Sequence, residues 1–249
     1  MRQPSLPAAS STTLAHLSLL FLTTFLHPGS LAGQAGPTLV PPSGPALTLD
    51  GTIQTDEWQG ALKHSLSGHG QVFFMRRDGL LSVGVRGPAF GLAHLVVASE
   101  DTVRVLHASA ALGAVFYVGK AQFWEKVQDP AWEMRDPSLS LQAIQTRQAY
   151  LDEHGWVGTT GRMGADNEVE FLLRPQAFGE GPLHLAVVFL PVDPQGTPLQ
   201  WPDATDDDVD LVPLLTGPMP GTLHLRPERW GRLQLRQGPS GPATSGNTP

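Results

Sequence analysis

Residues 123–137, Phe-Trp-Glu-Lys-Val-Gln-Asp-Pro-Ala-Trp-Glu-Met-Arg-Asp-Pro, gather the residue types that recognise a sugar. Trp124 and Trp132 offer flat aromatic faces for the apolar side of a pyranose ring. Glu125, Asp129, Glu133 and Arg135 offer charged groups for its hydroxyls. Trp201 opens a second cluster, Trp-Pro-Asp-Ala-Thr-Asp-Asp-Asp-Val-Asp, at 201–210. There Asp206, Asp208 and Asp210 stand at i, i+2, i+4, the opening spacing of a calcium loop, since a hard cation needs several carboxylate oxygens. Leu211 stands where such a loop needs glycine, and no bidentate Glu closes the pattern. A solvated acidic turn is therefore the plainer expectation, with calcium the cation the cluster would take.

Catalytic patterns are sparse. His94, His107 and His184 each fall inside a strand-like run, with no two at the close spacing of a zinc motif. His107-Ala108-Ser109 puts a hydroxyl near an imidazole, but Gly-x-Ser-x-Gly is absent. Structural histidine and a non-enzymatic chain are expected. There is no cysteine, so disulfides, thiolate metal sites and thiol nucleophiles are excluded.

These residues must be held by short strands. Runs rich in apolar and β-branched residues lie at 72–77, 80–86, 94–99, 102–107, 114–118, 156–161, 169–173 and 183–190. Shorter ones follow near 209–212, 222–226 and 232–235. Asn167-Glu168-Val169-Glu170-Phe171-Leu172-Leu173-Arg174 alternates, placing Val169, Phe171 and Leu173 on one face. Arg77-Asp78-Gly79 is a hairpin signal between two runs. Helix is expected only at 121–127, at 140–153 and in a turn at 175–178. Many short strands and few helices predict an all-β fold, an antiparallel β-sandwich of jelly-roll-like kind with short helical insertions.

The segment Leu49-Asp50-Gly51-Thr52-Ile53-Gln54-Thr55-Asp56-Glu57-Trp58-Gln59-Gly60-Ala61 carries the most specific pattern. An Asp-Gly turn is followed by a lone Trp and then Ala, and Trp58 is expected to plug the core at the sandwich entrance. This pattern resembles the start of family 9 carbohydrate-binding modules and of the related DOMON-like sandwich domains. The resemblance implies a secreted β-sandwich, and family 9 modules hold a sugar between two Trp side chains. Some DOMON-like domains carry a b-type haem instead; here the axial ligands would be Met75 and one of the strand histidines.

The ends of the chain set its context. Arg2, the apolar run 17–26 and Gly33-Gln34-Ala35 predict a signal peptide over 1–35, and the run is shorter than the roughly 20 residues a membrane span needs. Residues 36–46 read as an extended lead-in, 47–236 as the sandwich and 237–249 as a Gly/Ser/Pro/Thr-rich disordered tail. The leader holds one basic and no acidic residue, so its removal takes the net charge from −7 to −8. Such a surface repels phosphate backbones and anionic lipid, which disfavours nucleic-acid and membrane partners. The expected protein is a monomeric, non-catalytic binding module, secreted or held in the periplasm or cell envelope, with carbohydrate as its ligand. A haem-carrying electron-transfer domain and an envelope interaction domain without a small ligand are the alternatives.

Overall fold

The computed structural model describes residues 35–136, 138–161, 167–193, 195–203, 211 and 219–234. The expected signal peptide, the tail and the 209–212 strand lie wholly or mainly outside them. The described chain runs β1 (Thr38–Leu39), β2 (Leu62–Leu66), β3 (Gly70–Arg77), β4 (Leu80–Arg86), β5 (Gly91–Ser99), β6 (Thr102–Ala108), β7 (Ala111–Gly119), β8 (Trp124–Gln128) and β9 (Glu133–Met134). Then come α1 (Leu141–His154), β10 (Trp156–Thr160), β11 (Glu168–Leu173), β12 (Leu183–Pro191), β13 (Leu199–Trp201), β14 (Thr222–Leu223) and β15 (Gly231–Leu233). The fold is all-β and sandwich-like, with two largely antiparallel sheets. No described helix is long and apolar enough to cross a membrane.

The first sheet has the order β1-β15-β12-β5-β6-β7-β8-β14, with β13 also on β12 and β9 also on β7; β1 joins β15 in parallel. The second has the order β10-β11-β4-β3-β2. Between them lies the main core, in which Val72, Phe74, Val83 and Phe171 of the second sheet pack with Leu95, Val97, Leu106 and Val187 of the first. The β3–β4 hairpin turns on Asp78 and Gly79, at φ 49° and 79°, a type I′ geometry whose twist matches the strands it joins.

Both outer faces are covered as well. Val96, Val105, Tyr117, Val188 and Trp230 form a second apolar layer outside the first sheet, with Leu211 and Leu223 on it. Ile53, Trp58, Phe73 and Met75 form a third outside the second sheet. Double coverage explains why β5 is apolar almost throughout instead of alternating, since neither of its faces meets water.

Three expectations change. Residues 121–127 are not helical: Trp124–Gln128 is a strand, paired with β7 on one side and β14 on the other. Trp58 does not close the end of the sandwich; it packs on the outer side of the second sheet, over Gly84, where a Cβ would stand 3.1 Å from its ring. Met75 also faces that outer side, whereas His94, His107 and His184 face the outer side of the first sheet, in line with Val96, Val105 and Ala186. Two sheets and their core separate Met75 from these histidines, so it cannot share one haem iron with any of them.

Candidate functional site

The predicted two-tryptophan sugar clamp does not form. Trp124 stands opposite Gly119 at one end of β7, while the Trp132 ring lies over Gly113. Six residues of strand separate those glycines, roughly 20 Å at the rise of an extended chain. Trp124 is half-buried in the outer layer, its indole N–H donating to the Leu225 carbonyl at 3.2 Å. Trp201 is buried between Phe74 and His64, with ring centroids 4.9 and 5.1 Å away, and is a core residue. Arg135 is a buried strut: Nε donates to the Ser109 carbonyl at 2.8 Å, and the two terminal nitrogens reach the hydroxyls of Thr159 and Thr160. Glu125 and Asp129 face solvent, 3.4 Å from Lys120 and 2.6 Å from Lys126. Asp206, Asp208 and Asp210 lie outside the described residues.

Of the predicted set, Glu133 does reach a concave site. The edge strand of the second sheet, β10, sits over β6, so β7 and β8 run past that edge of the sheet. Helix α1 packs against β10 in that place and leaves a cleft of about 340 Å³ beneath its last turn. Ser140 caps the helix by accepting the Ala143 N–H at 3.1 Å. Buried Arg147 ties it to the preceding loop through the carbonyls of Asp136 and Ser138, at 3.1 and 3.0 Å. Gly155 ends it at φ 76°, its N–H on the Leu151 carbonyl, and a Cβ there would meet Ala177 at 2.2 Å. Tyr150 meets Trp156 edge-on at 5.5 Å, so the cleft wall is fixed by packing.

The floor comes from the inner face of the first sheet. Arg104 and Phe116 are direct cross-strand partners. The guanidinium lies between the Phe116 and Phe178 rings, 5.3 and 4.6 Å from their centroids. A bulge in β8 breaks the register between Phe116 and Tyr117 and brings Gln128 opposite Phe116, into the cleft. At the rim, His154 Nε2 is 3.3 Å from Glu133 and Arg174 is 2.7 Å from Asp152. Burial, with Glu133 and Glu153 nearby, raises the Tyr150 pKa, so its hydroxyl stays protonated as donor and acceptor. Arg104, Gln128, Tyr150 and Arg174 were not legible as site residues in the sequence. Alternation places Arg104 in line with Leu106 and Ala108 on a core-facing row, and a charge in such a row was the available signal.

A second polar group lies on the opposite side of the first sheet. The row Val188, His94, His107, Gly113 runs across four strands, and Gly113 leaves room for the Trp132 ring against His107, 5.2 Å away. His94 Nε2 and His107 Nδ1 are 2.9 Å apart, and His107 Nε2 is 2.9 Å from Ser109 Oγ. The connectivity is that of a nucleophile, base and orienting group. Burial, however, pushes His107 down to about 4 and, with the neighbouring His107, His94 to about 3. Such a base holds a proton poorly at neutral pH. The Ser109 hydroxyl also lies within 3.3 Å of the Ala111 carbonyl, a structural bond that closes the β6–β7 turn.

No protein-family model matches this chain, and no curated protein or solved structure matches it either.

Proposed function

We propose that the chain is an exported, non-catalytic binding module that takes a saccharide in the cleft beneath α1. The observation that carries this reading is the composition of that cleft. It combines an aromatic ring at Phe116 with Gln128, Tyr150, the Glu133–His154 pair and the Asp152–Arg174 pair. Sugar hydroxyls both donate and accept, and they are met best by groups that do the same, while ring C–H faces need a flat apolar partner. At about 340 Å³ the cleft is at the small end of ligand sites, which run from roughly 300 to 1,000 Å³. The export part of the proposal rests on the leader pattern of residues 1–35.

A shallow polar site should bind weakly, with Kd on the order of micromolar to millimolar, because hydrogen bonds to water are exchanged rather than gained. Calorimetric titration of the purified protein with a panel of mono- and oligosaccharides tests it. Phe116→Ala should abolish binding, and Trp132→Ala, on the far side of the first sheet, should preserve it. Loss of binding in Trp132→Ala alone would move the site to the outer face. Silence across the panel would end the carbohydrate reading.

A further inference from the structure

Arg104 is an anomaly for a sandwich interior. It projects from the core-facing side of β6, in line with Leu106 and Ala108, where a charge is costly unless paired. Among the described residues its side chain makes no hydrogen bond and no ion pair. Its Nε is fully buried without a partner, and its only contacts of note are the two flanking rings. None of the three carboxylates that line the cleft forms an ion pair with Arg104. Asp152 is held by Arg174 at 2.7 Å, while Glu133 and Glu153 lie at the solvent-facing rim, 3.3 and 3.9 Å from the His154 imidazole. The rings fix the guanidinium plane but supply no counter-charge. A planar fork of donors, held rigid and unpaired at the floor of an open cleft, is complementary to a planar anion that enters from outside.

Resting on the reading of the cleft as a saccharide site, we infer that its ligand is an acidic sugar whose carboxylate seats on Arg104. A uronic acid satisfies both halves of the cleft at once. Its carboxylate meets the guanidinium at the floor, and its hydroxyls meet Gln128, Tyr150 and the polar groups of Glu133, Asp152 and Arg174 at the rim. The chain's net charge of −7 opposes an anion at long range, but this repulsion is screened before contact. At physiological ionic strength the screening length is about 8 Å, so a contact ion pair is governed by the local group rather than by the distant surface.

The test is calorimetric titration of the purified protein with glucuronic acid, its methyl ester, glucose and glucose 6-sulfate, at low and at moderate salt. Glucuronic acid should bind at least about tenfold more tightly than the ester and glucose, and only its affinity should fall with added salt. Arg104→Met should erase that difference, and Arg104→Lys should restore part of it. Both variants are first checked for unchanged thermal unfolding, and at a destabilised site the salt response of the wild-type protein decides alone. Equal binding of acid, ester and glucose would overturn the acidic-sugar assignment and leave the saccharide reading intact. Equal binding of the sulfate would overturn the carboxylate assignment. No binding by any of the four, together with silence across neutral oligosaccharides, would overturn both.

Discussion

The indole N–H of Trp58 donates to Glu170 Oε1 at 3.0 Å, while Glu170 Oε2 accepts from the backbone of Gly51 at 2.8 Å and Asp50 at 3.1 Å. One buried carboxylate on β11 thus holds both ends of the Asp-Gly…Trp segment. Glu168, two residues earlier on the same face, accepts from the Ile53 backbone at 2.9 Å and also pairs with Arg86. The segment is a strap across the outer side of the second sheet, and its attachment points are side chains from 112 to 120 residues away.

Burial pushes Glu170 up to about 7 despite the three donors, which act in the opposite direction. The folded state therefore binds a proton that the unfolded chain releases near its ordinary value. The stability from this group is complete below about 4.5 and is lost as pH rises through about 7. Raising a carboxyl that far corresponds to a full change on the order of 3 kcal/mol. Glu170→Gln should accordingly cost more at pH 5 than at pH 8. Urea unfolding of both proteins at the two pH values measures it, and a pH-independent difference would show that Glu170 ionises normally.

Trp58 is 2% exposed and packs on Gly84 and edge-on to Phe73, with centroids 5.8 Å apart. Trp58→Ala should cost about 3–5 kcal/mol through the cavity it leaves. Trp58→Phe should keep most of the packing and lose the donor to Glu170, at about 1–3 kcal/mol. Thermal melts of the two variants separate packing from hydrogen bonding, and an unchanged melting temperature in Trp58→Ala would refute the strap.

Much of the strand pattern was legible because turn residues bound it. Asp78-Gly79 could adopt only a tight hairpin geometry, and Val169, Phe171 and Leu173 declare their common face by alternation. Trp58 was recognisable as a packing residue, but not its partner, since nothing local links it to Glu170. The 121–127 segment misled because Phe-Trp-Glu-Lys-Val also suits an amphipathic helix; its pairing to both β7 and β14 is decided by residues far along the chain. The cleft was illegible for the same reason. Arg104, Gln128 and Tyr150 come from three elements, and only the different widths of the two sheets leave a gap between them.

His94 and His107 give the opposite pH response to Glu170. Folding lowers them to about 3 and about 4, so between those values and about 6.5 the unfolded chain holds protons that the folded protein does not. Their stability contribution is present above about 6.5 and is lost as pH falls. Two such groups outweigh the single Glu170 in the acid range, so the wild-type protein should lose stability from pH 6.5 to 4.5. His107→Gln should flatten that loss. Chemical denaturation across this range checks it, and an unaltered slope would place the acid sensitivity elsewhere.

Gly155 links the helix to the cleft in a way that one substitution can expose. Its φ of 76° disfavours any side chain, and a Cβ would stand 2.2 Å from the Ala177 methyl. A positive-φ penalty of roughly 1–2 kcal/mol therefore adds to a steric conflict that backbone must move to relieve. The sheets do not depend on α1 for their hydrogen bonds, so the damage should be local. Gly155→Ala should loosen the last turn of α1, release Tyr150 from Trp156 and raise the accessibility of the cleft. Amide hydrogen exchange should quicken across 148–156 while β5, β6 and β12 stay protected. Uniformly faster exchange would mean that α1 is integral to the core and that the cleft has no independent motion. Because Tyr150 forms the wall of the proposed sugar site, the same variant should weaken saccharide binding without touching any group that contacts the ligand's charge.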